Sequence, residues 1–295
     1  MTQSRRTVLR NAAGLGAFAP FVTLGALMQQ AAAEEPSPNR FGANAEEARE
    51  IAHQAHEDLA NYPGFNMRGS EQIAMLVYPK MTMLDLVGPQ YFFASMMGAK
   101  VHLVSKDTSL APIMGDTGFA ILPTISMADC PKELDILFAP GGTGGTIAAM
   151  LDNETMDFMA DRGARAKHVT SVCTGSLILG QAGLLKGKRA TSHWSARHLL
   201  SEFDATPVNE RVVTDGKVVT GAGVSAGLDF ALALLAQIRG KAYAKAIQLQ
   251  AEYAPDPLFN AGTPETSDPA LATPMHDMFA TAIFKMKEAA KQKRR

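Results

Sequence analysis

The sequence predicts an α/β fold in which a mostly parallel sheet is covered by helices on both faces. Two observations predict it. Short continuous apolar runs at residues 73–78, 101–105, 134–139 and 168–172 alternate with stretches of helical spacing, and strands buried on both faces read as such runs. Several of these runs then break into residues that end a strand: Asp85 and Gly88-Pro89 after the first, Pro140-Gly141-Gly142 after the third, Cys173-Thr174-Gly175 after the fourth. In open α/β sheets, sites lie beyond the carboxyl ends of the strands.

Composition sets the outer limits. The chain has 295 residues, 46% apolar and 19% charged, values of a globular protein with one large core or two small ones. A net charge of -1 offers no concentrated basic surface, so neither nucleic acid nor an anionic membrane is expected as a partner. The basic run at 291–295 reads as a short solvated tail.

Residues 1–33 are expected to be a signal peptide. Ser4-Arg5-Arg6-Thr7-Val8-Leu9-Arg10 precedes an Ala- and Gly-rich apolar run, then Ala31-Ala32-Ala33 and an acidic switch at Glu34-Glu35; this is a charged region, an apolar region and a small-residue cleavage site. The apolar run is too short and too glycine-rich for a stable membrane span, which needs about 20 residues. The paired arginines resemble a bacterial twin-arginine export signal. Cleavage after Ala33, handling of the precursor by the twin-arginine machinery and a periplasmic or otherwise exported location are therefore expected, without membrane insertion of the mature chain. Two cysteines, Cys130 and Cys173, do not make a disulfide framework. Cys130, beside Pro131, reads as a surface-like loop residue, and Cys173 as the end of a buried strand, so no bridge between them is expected.

The remaining elements follow in order. Residues 34–70 read as a linker and an appended helix at 44–59, with Asn44 as N-cap and acidic residues near its start. The main domain spans 71–253. After the first strand, Gly88-Pro89 predicts a helix running to about Met97, with Pro at a first-turn position. Residues 112–122 predict a hairpin around Gly115-Asp116-Thr117-Gly118. Helices are expected at 154–166, 174–183, 194–203, 225–237 and 243–252, and a short β pair around Asp215-Gly216. Residues 254–295 read as a Pro-rich segment without periodicity, followed by a terminal helix at 275–291. No internal repeat is visible.

Three strand ends carry candidate chemistry. Cys173 sits where a strand runs straight into a helix, as in a nucleophile elbow, although Gly-x-Ser-x-Gly is absent. A helix N-terminus lowers a thiol pKa; equally, a free Cys is often a small buried hydrophobe. Asp85 lies in the apolar stretch Met83-Leu84-Asp85-Leu86-Val87-Gly88-Pro89, where a carboxyl can be held protonated as a proton shuttle or can simply hold the turn. Gly141, Gly142, Gly144 and Gly145 let backbone N–H groups approach a ligand or form a plain flexible turn; no P-loop or dinucleotide spacing is present. His193 and His198 read as structural. No His/Cys/Asp cluster has metal-ligand spacing, so no metal is expected.

Taken in order, these motifs resemble the DJ-1/PfpI superfamily, and within it the isocyanide (isonitrile) hydratase branch. Thr191-Ser192-His193-Trp194, Gly221-Ala222-Gly223-Val224-Ser225-Ala226-Gly227 and Gln248-Leu249-Gln250-Ala251-Glu252-Tyr253 extend the likeness over residues 72–265. The resemblance implies a flavodoxin-like, class I glutamine amidotransferase-like three-layer sandwich with a nucleophile-elbow cysteine. It implies Cys173 as nucleophile, Asp85 as its acidic partner, Thr174 as the donor next to the nucleophile, and Gly142, beside Gly141, as a further oxyanion-type donor. Many relatives have Glu at the acidic position and His after Cys; Asp85 and Thr174 here agree with the hydratase branch. What it implies is hydration of a small electrophilic substrate without a cofactor, in a homodimer. Redox or ligand sensing without turnover, and glyoxalase- or deglycase-type chemistry, are the alternatives.

Overall fold

The computed structural model describes residues 41–292, so the export-signal reading lies outside the described residues. The chain divides into two compact units, Met1–Ala52 and His53–Arg295. Helix α1 (Ala45–Ala60) begins in the first. Asn44 caps its start: Asn44 Oδ1 accepts from the Glu46 and Glu47 N–H groups at 3.0 Å each, and Glu47 Oε2 accepts from the N–H of Ala43, the residue before the cap, at 2.7 Å.

The second unit is the α/β sandwich. Its first half runs β1 (Gln72–Leu76), α2 (Met83–Ala94), β2 (Lys100–Ser105), β3 (Ile113–Met114), β4 (Ala120–Ile121), β5 (Ile125–Ser126), β6 (Ile136–Ala139), α3 (Gly144–Leu151) and α4 (Asn153–Arg165). The second half runs β7 (His168–Val172), α5 (Gly175–Gln181), β8 (Arg189–Ala190), a 3-10 helix Arg197–Phe203, β9 (Thr206–Pro207), β10 (Val212–Asp215), β11 (Val218–Gly221), α6 (Ala226–Arg239), α7 (Lys241–Gln250), α8 (Pro269–Asp277) and α9 (Ala280–Lys291). The central sheet has seven strands in the order β10-β11-β7-β6-β1-β2-β5. Every pairing in it is parallel except β10 with β11. The expected mostly parallel sheet is therefore present, and β1, β6 and β7, whose ends carry the candidate chemistry, are neighbours at its centre.

Both faces are covered. On one, Phe93 of α2, Phe138 of β6 and Phe230 of α6 meet with ring centroids 5.8–6.2 Å apart, at the spacing aromatic pairs favour. On the other, α3, α4 and α5 bury Met156, Met159, Leu177, Ile178 and Leu179. Strands β1 and β6 are apolar at nearly every position because both of their faces are inside.

Several local expectations change. The helix after β1 starts at Met83, not at Gly88, and Pro89 lies inside it. Pro89 leaves the Asp85 carbonyl without its helical donor. Tight packing explains why the pair is there: a Cβ at Gly88 would meet Leu228 at 3.3 Å, and one at Gly227 would meet Pro89 at 3.2 Å, so α2 and α6 touch through small residues. Gly144-Gly145 opens helix α3 rather than a loop. The region 194–203 is a 3-10 helix from Arg197 only, closed by Asp204 in the left-handed conformation (φ 56°). The aperiodic stretch holds α8, with Asp268 as N-cap and Pro269 in its first turn. Cys130, expected on the surface, is buried, because the Arg162 guanidinium reaches in to the Cys130 and Pro131 carbonyls, each at 3.0 Å, and covers the loop. Both cysteines are free.

One buried ion pair clamps the two ends of the sandwich. Arg239, 2% exposed, bonds Glu71 through Nε to Oε1 at 2.7 Å and Nη2 to Oε2 at 2.5 Å. Its remaining N–H groups donate to the carbonyls of Asn66 (3.1 Å), Met67 (3.0 Å) and Met97 (3.0 Å). Truncation would leave the largely buried Glu71 carboxylate and the Asn66 and Met67 carbonyls without the Arg239 donors, while Met97 keeps only the Gly69 N–H. Arg239→Ala is expected to cost about 3–5 kcal/mol in urea denaturation, against at most about 0.5 kcal/mol for the exposed Lys245→Ala.

Candidate active site

Cys173 ends β7 and turns the chain into α5 with φ +57°, a conformation that costs a non-glycine residue on the order of 1–3 kcal/mol. Four hydrogen bonds hold it there. Its N–H donates to the Gly221 (3.1 Å) and Ala222 (2.8 Å) carbonyls, and its carbonyl accepts from the Ser176 (3.1 Å) and Ser192 (3.0 Å) hydroxyls. The Thr191-Ser192 and Gly221-Ala222 motifs thus act as the supports of the elbow. Cys173 lines a cavity of about 240 Å³, beside Thr174, Gly142 and Val224. A larger cavity of about 790 Å³ between the β3 region and α3 holds neither Cys173 nor Asp85.

Asp85, in the first turn of α2, is fully buried. Its Oδ2 accepts from the Gly141 N–H at 2.9 Å, while Oδ1 has no hydrogen-bond partner of its own. Burial raises its pKa to about 7; the Cys173 thiol and the Gly141 N–H oppose that rise, and the Asp116 charge adds to it. The thiol responds in kind. Burial pushes its pKa well up, the Asp85 charge pushes further, and the N–H groups of Val224 and Thr174 on the sulfur pull the other way. The expected lowering by the helix N-terminus is therefore outweighed, and the resting group is a thiol beside a carboxyl that titrates near neutrality.

Thr174 follows Cys173 directly and places its N–H on the sulfur. Its hydroxyl faces away: it donates to the Gly142 carbonyl at 2.6 Å and lies 2.9 Å from Thr146 Oγ1. Gly142 is brought to the cavity, but its role is corrected. Its N–H donates to Thr174 Oγ1 at 2.9 Å, because the loop is pulled down onto Thr174, so that donor is not free for developing charge. The second sulfur-directed donor is Val224 instead, which the sequence reading passed over; its signal was its place among the glycines of the 221–227 motif. Val224 adopts φ +33°, so it, too, is held in the left-handed region.

Gly141 allows the groups to converge. A Cβ there would lie 2.6 Å from Thr174 N, 2.7 Å from Asp85 Oδ2 and 2.8 Å from Cys173 Cβ. At the rim, Asp116 of the hairpin turn accepts from Thr82 Oγ1 at 2.8 Å and joins the cavity wall. His193 also lines the cavity, with Nδ1 2.8 Å from Ser195 Oγ. Burial, aided by Arg197, lowers its pKa to about 4, so it is neutral at pH 7. His198 lies outside the cavity lining. Among the described residues no group of three or more His, Cys, Asp or Glu could hold a metal ion, and no helix is long and apolar enough to cross a membrane.

A sequence model of the DJ-1/PfpI family matches residues 71–237. The chain is 48% identical over 201 residues to isonitrile hydratase of Pseudomonas putida, covering 68% of this chain and 86% of that protein. A crystal structure of a ThiJ/PfpI family protein from Pseudomonas syringae superposes with a TM-score of 0.76 at 54% identity, covering 77% of this chain and 93% of that one. Drosophila melanogaster DJ-1beta, at 20% identity, shares the fold with a TM-score of 0.57 over 63% of this chain and all of that one.

Two outcomes test this geometry. Gly141→Ala is expected to lose about 1–3 kcal/mol in urea denaturation, the cost of forced repacking, and to change the alkylation rate of Cys173. For Asp85, the folded pKa lies above the unfolded value near 3.9. Its contribution to stability is therefore full below about pH 4 and lost as pH rises through about 7. Between pH 4.5 and 7.5 the wild type should lose on the order of 2–4 kcal/mol more than Asp85→Asn does, measured by paired denaturation curves.

Proposed function

The chain belongs to the DJ-1/PfpI family, and from that premise we propose that it hydrates isocyanides to N-substituted formamides through Cys173 and Asp85. The observation that carries this reading is a near-buried thiol paired with a fully buried carboxyl whose pKa is about 7, in a chain 48% identical to an isonitrile hydratase. An isocyanide is uncharged and carries its reactivity on a terminal carbon, so it can enter a small cavity end-on.

The chemistry needs one proton moved twice. Ionised Asp85 takes the thiol proton as sulfur attacks the terminal carbon, and the carboxyl then delivers that proton to the same carbon. The product is a thioimidate, R–N=CH–S–Cys173. Water adds to its carbon as the nitrogen gains a proton; the carbon–sulfur bond breaks, the thiol recovers its proton, and R–NH–CHO leaves. The sum is one water added, with no oxidant, reductant or cofactor. Thr174 and Val224 N–H groups stabilise negative charge on sulfur during attack and release. Since Asp85 must be ionised to accept the proton, kcat/KM should rise through about pH 7.

The sensing reading has less support. Oxidation begins from an exposed thiolate, whereas this thiol is 5% exposed and its pKa is pushed up. Export by the twin-arginine route with cleavage after Ala33, on the pattern Ser4 to Leu9, and assembly as a homodimer belong to the same proposal.

The test is to incubate the protein with cyclohexyl isocyanide and follow formamide formation by mass spectrometry. Turnover that disappears in Cys173→Ala and falls by about 10²–10⁴-fold in Asp85→Asn is expected. Turnover unchanged in Cys173→Ala would remove the cysteine from the reaction, and no turnover in the wild type would remove the substrate class.

A further inference from the structure

The cavity above Cys173 has a wall that lies beyond the residues matched by the family pattern. Phe279, Ala282, Ile283 and Met286 line it, and all four come from α9 or the residue before it. Their spacing places them on one stripe of the helix. The outward face of α9 carries Phe284, 65% exposed. Helix α9 thus roofs the cavity whose floor is the thiol.

The roof is fastened at both ends. At its start, the Phe279 ring lies 5.5 Å from His193 and 6.0 Å from Trp194, and His276 lies 6.0 Å from the far side of Trp194. Toward its end, Met286 and Ala289 are buried. Gln181 of α5 donates to the carbonyls of Ala289 (3.4 Å) and Gln292 (3.1 Å), and Lys287 pairs with Glu202 at 3.6 Å. Ile283, between these fixed points, faces inward with no polar atom to contribute.

The cavity is therefore polar at one end and apolar at the other. Backbone donors and the thiol face a terminal reactive carbon, while Phe279, Ile283 and Met286 face whatever that carbon is attached to. At roughly 30 Å³ per small non-hydrogen group in a dense phase, a cavity of about 240 Å³ takes about eight such groups. An isocyano unit uses two.

We propose that α9 is the specificity element of this site, and that Ile283 and Met286 restrict the substrate to one with a compact, apolar alkyl substituent of up to about six carbons, carrying no anionic group. The substrate class rests on the hydratase reading; the size limit does not. The apolar roof gives an anion no partner, and the Asp116 carboxylate in the same cavity wall repels one, so anionic substituents are disfavoured.

Two readouts separate the proposal from the reading it builds on. The first is kcat/KM for tert-butyl, cyclohexyl and 2-naphthyl isocyanides. The second needs no turnover: the rate at which N-methylmaleimide and a bulky N-arylmaleimide alkylate Cys173, resolved from Cys130 by peptide mass spectrometry. Ile283→Ala should raise the bulky-to-small ratio on the order of tenfold, and Ile283→Phe should lower it. Phe284→Ala, on the outer face, should leave it unchanged. Thermal melts check that each variant is folded. A shifted alkylation ratio without isocyanide turnover would keep the roof and remove the hydratase reading. Ratios that Ile283→Ala leaves unchanged in both readouts, or that Phe284→Ala shifts equally, would overturn the roof.

Discussion

The site depends on a missing atom. At Gly141 the β6 end, the Asp85 carboxyl and the Cys173 elbow come so close that a single added methyl would lie within 2.8 Å of all three. With no side chain there, the Gly141 N–H can hold Asp85 Oδ2, its carbonyl can accept from Thr82 N–H at 2.8 Å, and the thiol can face the carboxyl. This convergence follows from strand order. Because β7, β6 and β1 are neighbours in a parallel sheet, their carboxyl ends open on the same edge, and each delivers one participant.

The electrostatics follow from the same crowding. Water is excluded from Asp85, so its charged form is disfavoured, and the only direct compensation is one backbone N–H and the thiol. With the carboxyl at about 7 and the thiol pushed well above its ordinary value, the proton rests on sulfur near neutrality, and its passage to the carboxylate needs negative charge on sulfur to be stabilised. The Val224 and Thr174 N–H groups do not make a resting thiolate; they lower the cost of placing negative charge on the sulfur. Asp116, held at the rim by Thr82 and the α2 start, raises Asp85 slightly and ties the hairpin to the state of the site.

Much of this could be read from the sequence, for identifiable reasons. Buried parallel strands write themselves as unbroken apolar runs, so β1, β2, β6 and β7 were legible, and the residues just past them pointed to Cys173, Asp85 and Gly141. What was not legible depended on tertiary contacts. Pro89 looked like a helix start because local rules place it there; only the close approach of α6 explains a proline mid-helix. Gly144-Gly145 looked like a loop because nothing local shows that α3 must start where the Pro79 and Lys80 backbone presses on Gly145. Gly142 looked like a free donor until Thr174 Oγ1 took its N–H. Cys130 and Arg239 are buried by partners far away in sequence, which no window of neighbouring residues contains.

Cys173 and Val224, which donates an N–H to its sulfur, both have positive φ. A chain folding only for stability would place glycine or asparagine at such positions. At Cys173 the strain keeps the thiol at the outer side of the turn, facing the cavity instead of the strand interior. At Val224 the left-handed backbone accompanies an N–H directed at the sulfur. The strained bonds, the unpartnered Asp85 Oδ1 and the high thiol pKa all lie at this one spot, and the clamps that balance them, Ser176, Ser192, Gly221 and Ala222, surround it. Other non-glycine residues with positive φ, such as Leu110 and Asp204, lie elsewhere in the chain; what sets the Cys173 turn apart is that strained backbone, an unpartnered carboxyl oxygen and a raised thiol pKa coincide there.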